Sequence, residues 1–117
     1  MENKLNEKRE QRRTEERIAR TILEQIKAND VWALAAYGAK NFIAHNADNS
    51  KLGGVQFDVN GLNFKGRVII ELMFDDTYTI TFGKLNVKYE WNEIKKVEGV
   101  YFDMLVDVLD FIEKKGA

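Results

Sequence analysis

The stretch that most constrains the fold is 55–83, VQFDVNGLNFKGRVIIELMFDDTYTITFG. Val55, Phe57 and Val59 alternate with Gln56 and Asp58, the period of two that marks a strand with one buried face. Asn60 and Gly61 follow at once, and both tolerate the positive φ that a type I′ hairpin turn demands. A two-residue loop there pairs Val59 with Leu62 and Phe57 with Phe64, putting all four on one face. Leu62, Phe64, Val68, Ile70, Leu72 and Phe74 keep that parity along the second strand, with Gly66 as an expected bulge or bend. Val68, Ile69 and Ile70 in succession predict that the opposite face is partly covered there.

Counting sets the next turn. Tyr78, Ile80 and Phe82 alternate with Thr77, Thr79 and Thr81. A two-residue loop at Asp75 and Asp76 would place the threonines on the apolar face. A three-residue loop, Asp75-Asp76-Thr77, pairs Phe74 with Tyr78, Leu72 with Ile80 and Ile70 with Phe82. The odd-length loop is expected, because a slip of one residue exposes a whole apolar row. The two adjacent acids suit a solvated turn better than a metal site, since Asp bonds its own backbone in turns.

The rest of the chain can be placed against this meander. Residues 1–17 form a charged arm in which Leu5 is the only sizeable apolar residue besides the first Met. Ile18, Ala19, Ile22, Leu23 and Ile26 then form a helical stripe, predicting one helix over 7–27 anchored by its last three turns. Asn29 and Asp30 end it and cap a short helix over 31–37 closed by Gly38, with Trp32, Leu34, Ala35 and Tyr37 as packing residues. A first strand is expected over 40–45, with Phe42 and Ala44 on one side and Ile43 and His45 on the other. Residues 46–54 are polar and contain Gly53-Gly54, predicting the most mobile loop.

After Phe82 the apolar positions become odd-numbered (Leu85, Val87, Tyr89, Trp91), so a bulge or turn at Gly83 and Lys84 must shift the phase. Ile94 and Val97 suggest a further short strand over 92–98. Gly99 then releases a helix over 101–115, with Tyr101, Met104, Leu105, Val108, Phe111 and Ile112 as its apolar face. Lys114 and Lys115 suit its carboxyl end, and Gly116 stops it.

The predicted class is α+β: an antiparallel meander of four or five strands packed on one face by the first and last helices. Residues 18–117 make a single domain beyond the 1–17 arm. Burial is expected for Phe57, Phe64, Ile70, Leu72, Ile80, Phe82, Leu105 and Val108.

At 117 residues one core is affordable. A formal net charge of −1 gives no global push toward nucleic acid or a membrane. With no cysteine there is no disulfide, thiolate chemistry or Cys-based zinc site, which suits the cytosol. No apolar run approaches a membrane span, and the amino terminus is too charged for a signal peptide. Proline is absent, so helices end on glycines and polar caps.

Arg9, Arg12, Arg13, Arg17 and Arg20 fall in one sector of the first helix, mostly away from the Ile18/Ile22/Ile26 stripe. Such a row of guanidiniums fits a phosphate backbone or an acidic protein surface. Glu7, Glu10, Glu15, Glu16 and Glu24 are interleaved, and the first twenty residues hold seven basic and five acidic groups. A solvated helix laced with i,i+4 pairs is therefore the rival reading.

His45 is the only histidine, which excludes a histidine-based metal set; general-base work would need a nearby carboxylate. Asp103, Asp107 and Asp110 stripe the last helix, as a wet face or as a receptor for a basic partner or the arm of a second copy. Trp32, Trp91, Tyr37, Tyr89 and Tyr101 sit within apolar periodicities, so core packing is expected over base stacking. No G-x-G-x-x-G, P-loop, H-E-x-x-H or G-x-S-x-G occurs, and Gly53-Gly54 and Gly61 are turn glycines. No cofactor, metal or catalytic residue is expected.

The blocks ARTILEQI (19–26), GAKNFIA (38–44), GGVQFDVNG (53–61), DTYTITFGKL (76–85) and GVYFDMLVDVLD (99–110) resemble small proteins encoded by phages and mobile elements of gut bacteria. The resemblance covers 17–112 and omits the arm. It implies an accessory role in the host cytosol, including the blocking of defence systems such as CRISPR effectors, and supplies no catalytic residue. The expectation is a non-enzymatic protein that binds a host protein or nucleoprotein. A nucleic-acid-binding module built on the arginine helix and a structural homo-oligomer are the alternatives.

Overall fold

The computed structural model describes residues 2–114. The chain runs through α1 (Glu2–Asn29), α2 (Ala33–Ala36), β1 (Lys40–His45), β2 (Lys51–Asn60), β3 (Lys65–Met73), β4 (Tyr78–Leu85) and β5 (Trp91–Val100). A closing helical segment follows: a 3₁₀ turn Phe102–Met104, α3 (Leu105–Leu109) and a second 3₁₀ turn Asp110–Ile112. The strands pair in chain order, β1-β2-β3-β4-β5, all antiparallel, so the α+β meander with helices from both ends of the chain is the observed fold.

Parity survives everywhere in the central sheet, while register does not. Phe57 pairs with Val68 and Val59 with Gly66, four residues beyond the partners expected from an Asn60-Gly61 hairpin. The connection is the four-residue loop 61–64, and its geometry is set from outside. The Ile112 carbonyl accepts from the amides of Asn63 and Phe64 at 2.9 and 3.0 Å, and Asn63 Nδ2 donates to the Phe111 carbonyl at 2.7 Å. A Cβ on Gly61 would lie 2.3 Å from the Ile112 oxygen, so only glycine lets the closing segment seat there. These carbonyls at a helix end lack partners within the helix, and satisfying them outweighs the local turn preference. Leu62 is left exposed, and Phe64 turns into the core.

The β3–β4 connection spans 74–77, and inside the Met73–Thr77 hydrogen bond its tip has the odd length of three that counting requires, but the three are Phe74, Asp75 and Asp76. Met73 faces Thr77, Leu72 pairs with Tyr78, Ile70 with Ile80 and Val68 with Phe82. The whole register is thus displaced by two residues from the expected one, which leaves the faces intact and puts Phe74 in solvent. Asp76 takes φ 66°, the left-handed residue that completes a three-residue hairpin loop. Asp75 Oδ1 accepts from the Thr77 hydroxyl at 2.7 Å and the Thr77 amide at 3.1 Å. Both acids are therefore spent on the turn, or solvated.

The odd-numbered run 85–91 is not a strand. β4 ends at Leu85, and 86–90 form a loop tied by Asn86, whose Oδ1 accepts from the amides of Lys88 and Glu90 at 2.8 and 3.0 Å. The alternation there came from side chains on a hairpin tip rather than on a pleated face. β5 is correspondingly longer than 92–98. The expected phase break does occur, as a register shift between Phe82 and Gly83. β1 matches 40–45, with a register break around Asn41. Of the expected loop 46–54, the last four residues join β2.

α1 and the closing segment cover one face of the sheet. Ala19, Ile22 and Ile26 meet Val55, Phe57, Val68, Ile70, Ile80 and Phe82, with Leu105, Leu109 and Ile112 completing the core. Phe82 packs edge-on against Phe64 (5.6 Å) and Phe111 (4.9 Å), each such pair adding about 0.5–1.5 kcal/mol beyond burial. Leu72 and Val108 are only partly buried. α2 is shorter than expected, and Trp32 and Ala35 point outward while Ala33 and Tyr37 do the packing. The expected continuous helix over 101–115 is instead broken into 3₁₀ and α pieces ending at Ile112, and Lys115 and Gly116 lie outside the described residues.

Candidate functional site

α1 is one 28-residue helix, about 42 Å long at 1.5 Å per residue. It crosses β2 and β1. Counting from Leu5, Glu15 is the first buried residue, and its carboxylate accepts a hydrogen bond from the Ala47 amide in the β1–β2 loop. From Leu5 to Thr14 every residue is exposed.

Arg9, Arg12, Arg13, Arg17 and Arg20 are all exposed. Helical geometry puts them on the side opposite Ile22, within about 140° of one another. None makes an ion pair or a hydrogen bond with another described residue. Glu10, Glu16 and Glu24 share that side without pairing to them, so the expected lacing of i,i+4 bridges is not formed among the described residues. The helix presents free guanidiniums and free carboxylates side by side. Beneath it, an open cleft of about 590 Å³ is lined by Glu7, Lys8, Gln11, Arg12, Glu15 and Asn46.

His45 lies on the outer, helix-free face of the sheet. Its Nε2 bonds Gln56 Oε1 at 2.6 Å, and its Nδ1 is 3.3 Å from Lys51 Nζ, which also donates to Glu71 Oε2 at 2.8 Å. Lys51 can only donate, so Nδ1 is the acceptor and Nε2 carries the proton. Both ring nitrogens are occupied, and the nearest partner carboxylate is reached through Lys51, so the ring is held as a structural link between β1, β2 and β3. Of the acidic stripe, Asp103 and Asp107 are exposed, while Asp110 accepts from the Tyr37 hydroxyl at 3.2 Å. Burial, then the charge and hydrogen bond of Asp110, raise the Tyr37 phenol well above its ordinary range. Among the described residues no group of three or more acids and histidines is placed to hold a metal.

The aromatic expectation needs correcting. Tyr37 is buried, but Trp32 (74 % exposed), Tyr89 (84 %), Tyr101 and Trp91 are not. Two exposed apolar clusters result: Val31 and Trp32 beside α2, and Val87 and Tyr89 on the β4–β5 tip. Sequence periodicity misled here because an apolar residue on a loop looks like one on a strand. Glu15 was also missed as an anchor, although a signal existed: it stands four, seven and eleven residues before Ala19, Ile22 and Ile26, in line with the buried stripe. Among the described residues, no helix is long and apolar enough to cross a membrane. No family model, curated protein or solved structure matches the chain.

Proposed function

We propose that this chain is a non-enzymatic binding protein, an accessory product of a phage or mobile element. It acts in the bacterial cytosol by occupying a surface of a host protein or nucleoprotein, as an anti-defence inhibitor of the anti-CRISPR kind. One observation carries the binding role: five arginines on one side of α1 have no partner within the described chain. A guanidinium offers five donors in a planar fork suited to carboxylates and phosphates. The exposed half of α1 is too short to hold a helix well on its own; continuity with the anchored half keeps the arginines arrayed at fixed spacing. The mobile-element setting and the anti-defence role rest on the sequence resemblance alone.

Capture from phage-infected cells, with the wild type beside a variant carrying Arg→Gln at all five positions, tests the arm. A partner retained by the wild type and lost from the variant is the expected result, with a flatter salt dependence. Equal recovery by both would remove the arm from the mechanism. A gel shift with nucleic acid alone would favour the nucleic-acid-binding alternative, and a dimer mass in light scattering the homo-oligomer.

A further inference from the structure

Two hairpin loops of this sheet share a backbone and differ in what they place on it. In the β3–β4 loop the Met73 amide donates to the Thr77 carbonyl at 2.9 Å, and the Asp76 amide to the Met73 carbonyl at 3.1 Å. In the β4–β5 loop the Asn86 amide donates to the Glu90 carbonyl at 3.0 Å, and the Tyr89 amide to the Asn86 carbonyl at 2.9 Å. The third loop residue is left-handed in both, Asp76 at φ 66° and Tyr89 at φ 60°. Asp tolerates that conformation because its short polar side chain bonds locally, whereas a bulky ring is strained there. The fold gains nothing inward from the strain: Tyr89 is 84 % exposed, and its side chain makes no hydrogen bond with another described residue. Strain held at an exposed aromatic points to a use outside the fold.

The β2–β3 loop stands beside this one. Arg67 pairs with Gly83, which puts Lys65 level with Leu85, so loops 61–64 and 86–90 leave the same end of the sheet. Two strand spacings, about 10 Å, separate their centres. Leu62 on the first tip is 89 % exposed and Val87 on the second is 95 % exposed. With Tyr89 they are the three most exposed large hydrophobic residues among those described, and all three lie at this one end. We propose that this end of the sheet docks on an anionic phospholipid surface, seating Leu62, Val87 and Tyr89 among the headgroups. The proposal is independent of the role assigned to the arm, whose helix leaves the fold at the opposite end, beside the β1–β2 loop.

Shape and charge both favour a bilayer. The three apolar side chains stand on projecting tips rather than in a cleft, and a soft interface admits both tips together. Tyr89 ends its ring in a hydroxyl, and the partly exposed Trp91 follows it; such amphipathic rings favour headgroup depth. Lys65, Lys84, Lys88 and Lys114 are exposed around the tips. Lys65 and Lys84 stand on opposite faces of the sheet, so they flank the tips instead of converging on one point. That arrangement suits a charged plane, not a single anion. The acids of this end are engaged or set back. Glu90 Oε1 accepts from Asn86 Nδ2 at 3.3 Å, Glu113 keeps its Oε1 buried, and Asp58 is bonded to Arg67 at 3.1 Å. Glu93 lies further along β5, across from Gly83. A chain of formal net charge −1 thus gathers its cations around its most exposed apolar residues.

The test is flotation of the full-length protein with vesicles of phosphatidylcholine alone and of equal parts phosphatidylcholine and phosphatidylglycerol. The expected result is recovery with the anionic vesicles, little with the neutral ones, and a loss as salt is raised. Lys88→Gln should weaken the anionic partition about fivefold, the share of one lysine near such a surface. Val87→Asp removes an apolar contact and adds a repelled charge, so it should weaken partition at least about tenfold. Tyr89→Gly relieves the left-handed strain. It should weaken partition while its urea midpoint stays level or rises, which a ring that served the fold would not allow. The five-arginine variant should still float. No recovery with anionic vesicles at low salt, or equal partition of Val87→Asp and the wild type, would overturn the proposal. So would a fallen urea midpoint in Tyr89→Gly, or flotation lost with the arm arginines and kept in Val87→Asp.

Discussion

The two halves of α1 share one helical geometry and differ in everything else. From Glu15 to Ile26 the helix sets Ala19, Ile22 and Ile26 into the core and ties its first buried turn to the β1–β2 loop. From Leu5 to Thr14 the same helix touches solvent all round. The same repeat of about 3.6 residues sets an aliphatic stripe opposite Arg17 and Arg20 in one half and carries charges all round in the other. The difference teaches that helix formation here is secured by the packed half and merely continued by the other. Stability and binding should therefore respond to different residues of a single element.

The largest effect expected is on the packed half. Ile22→Ala empties a fully buried site between α1 and the sheet and should destabilise the fold by about 2–5 kcal/mol. Urea denaturation checks it, and a change under about 1 kcal/mol would break the comparison. Next comes the junction. Glu15→Ala leaves the Ala47 amide without its acceptor and should remove about 1–3 kcal/mol. Hydrogen exchange at Ala47 should rise with it; unchanged exchange would mean that the helix is anchored by its isoleucines alone.

A third test lies at the far side of the body. The fold favours the neutral Tyr37 phenol, whose folded value is raised by burial and by Asp110. Its contribution is intact below the ordinary tyrosine value of about 10 and is lost as the pH climbs above it. Tyr37→Phe should cost about 1 kcal/mol near neutrality and flatten the alkaline limb of stability. The smallest effect sharpens the comparison most. Replacing Arg9, Arg12, Arg13, Arg17 and Arg20 with Gln should shift stability by no more than about 0.5 kcal/mol per site. A large loss of melting temperature would mean that the arginines serve the fold.

How far the sequence reveals this fold depends on how local the deciding contact is. The faces of β2, β3 and β4 follow from alternation, because burial of Phe57, Ile70 and Phe82 demands one parity. Register does not follow, because the loop 61–64 answers to the Ile112 carbonyl, some fifty residues along the chain. Asn60-Gly61 is a sound hairpin signal overruled by that distant acceptor. The run Leu85, Val87, Tyr89, Trp91 failed for another reason: exposed apolar residues on a tip imitate a strand until solvent is counted. The arginine sector was legible from spacing.

The register breaks in the two outermost strands bear on how copies of this protein treat one another. Near Asn41 in β1, and twice along β5, the ladder steps out of phase, and lysines and glutamates crowd β5 between those steps. An unpaired strand border invites a foreign strand to zip onto it, and kinks with charges spoil that fit. Kinked, charged borders of this kind disfavour edge-to-edge pairing between copies.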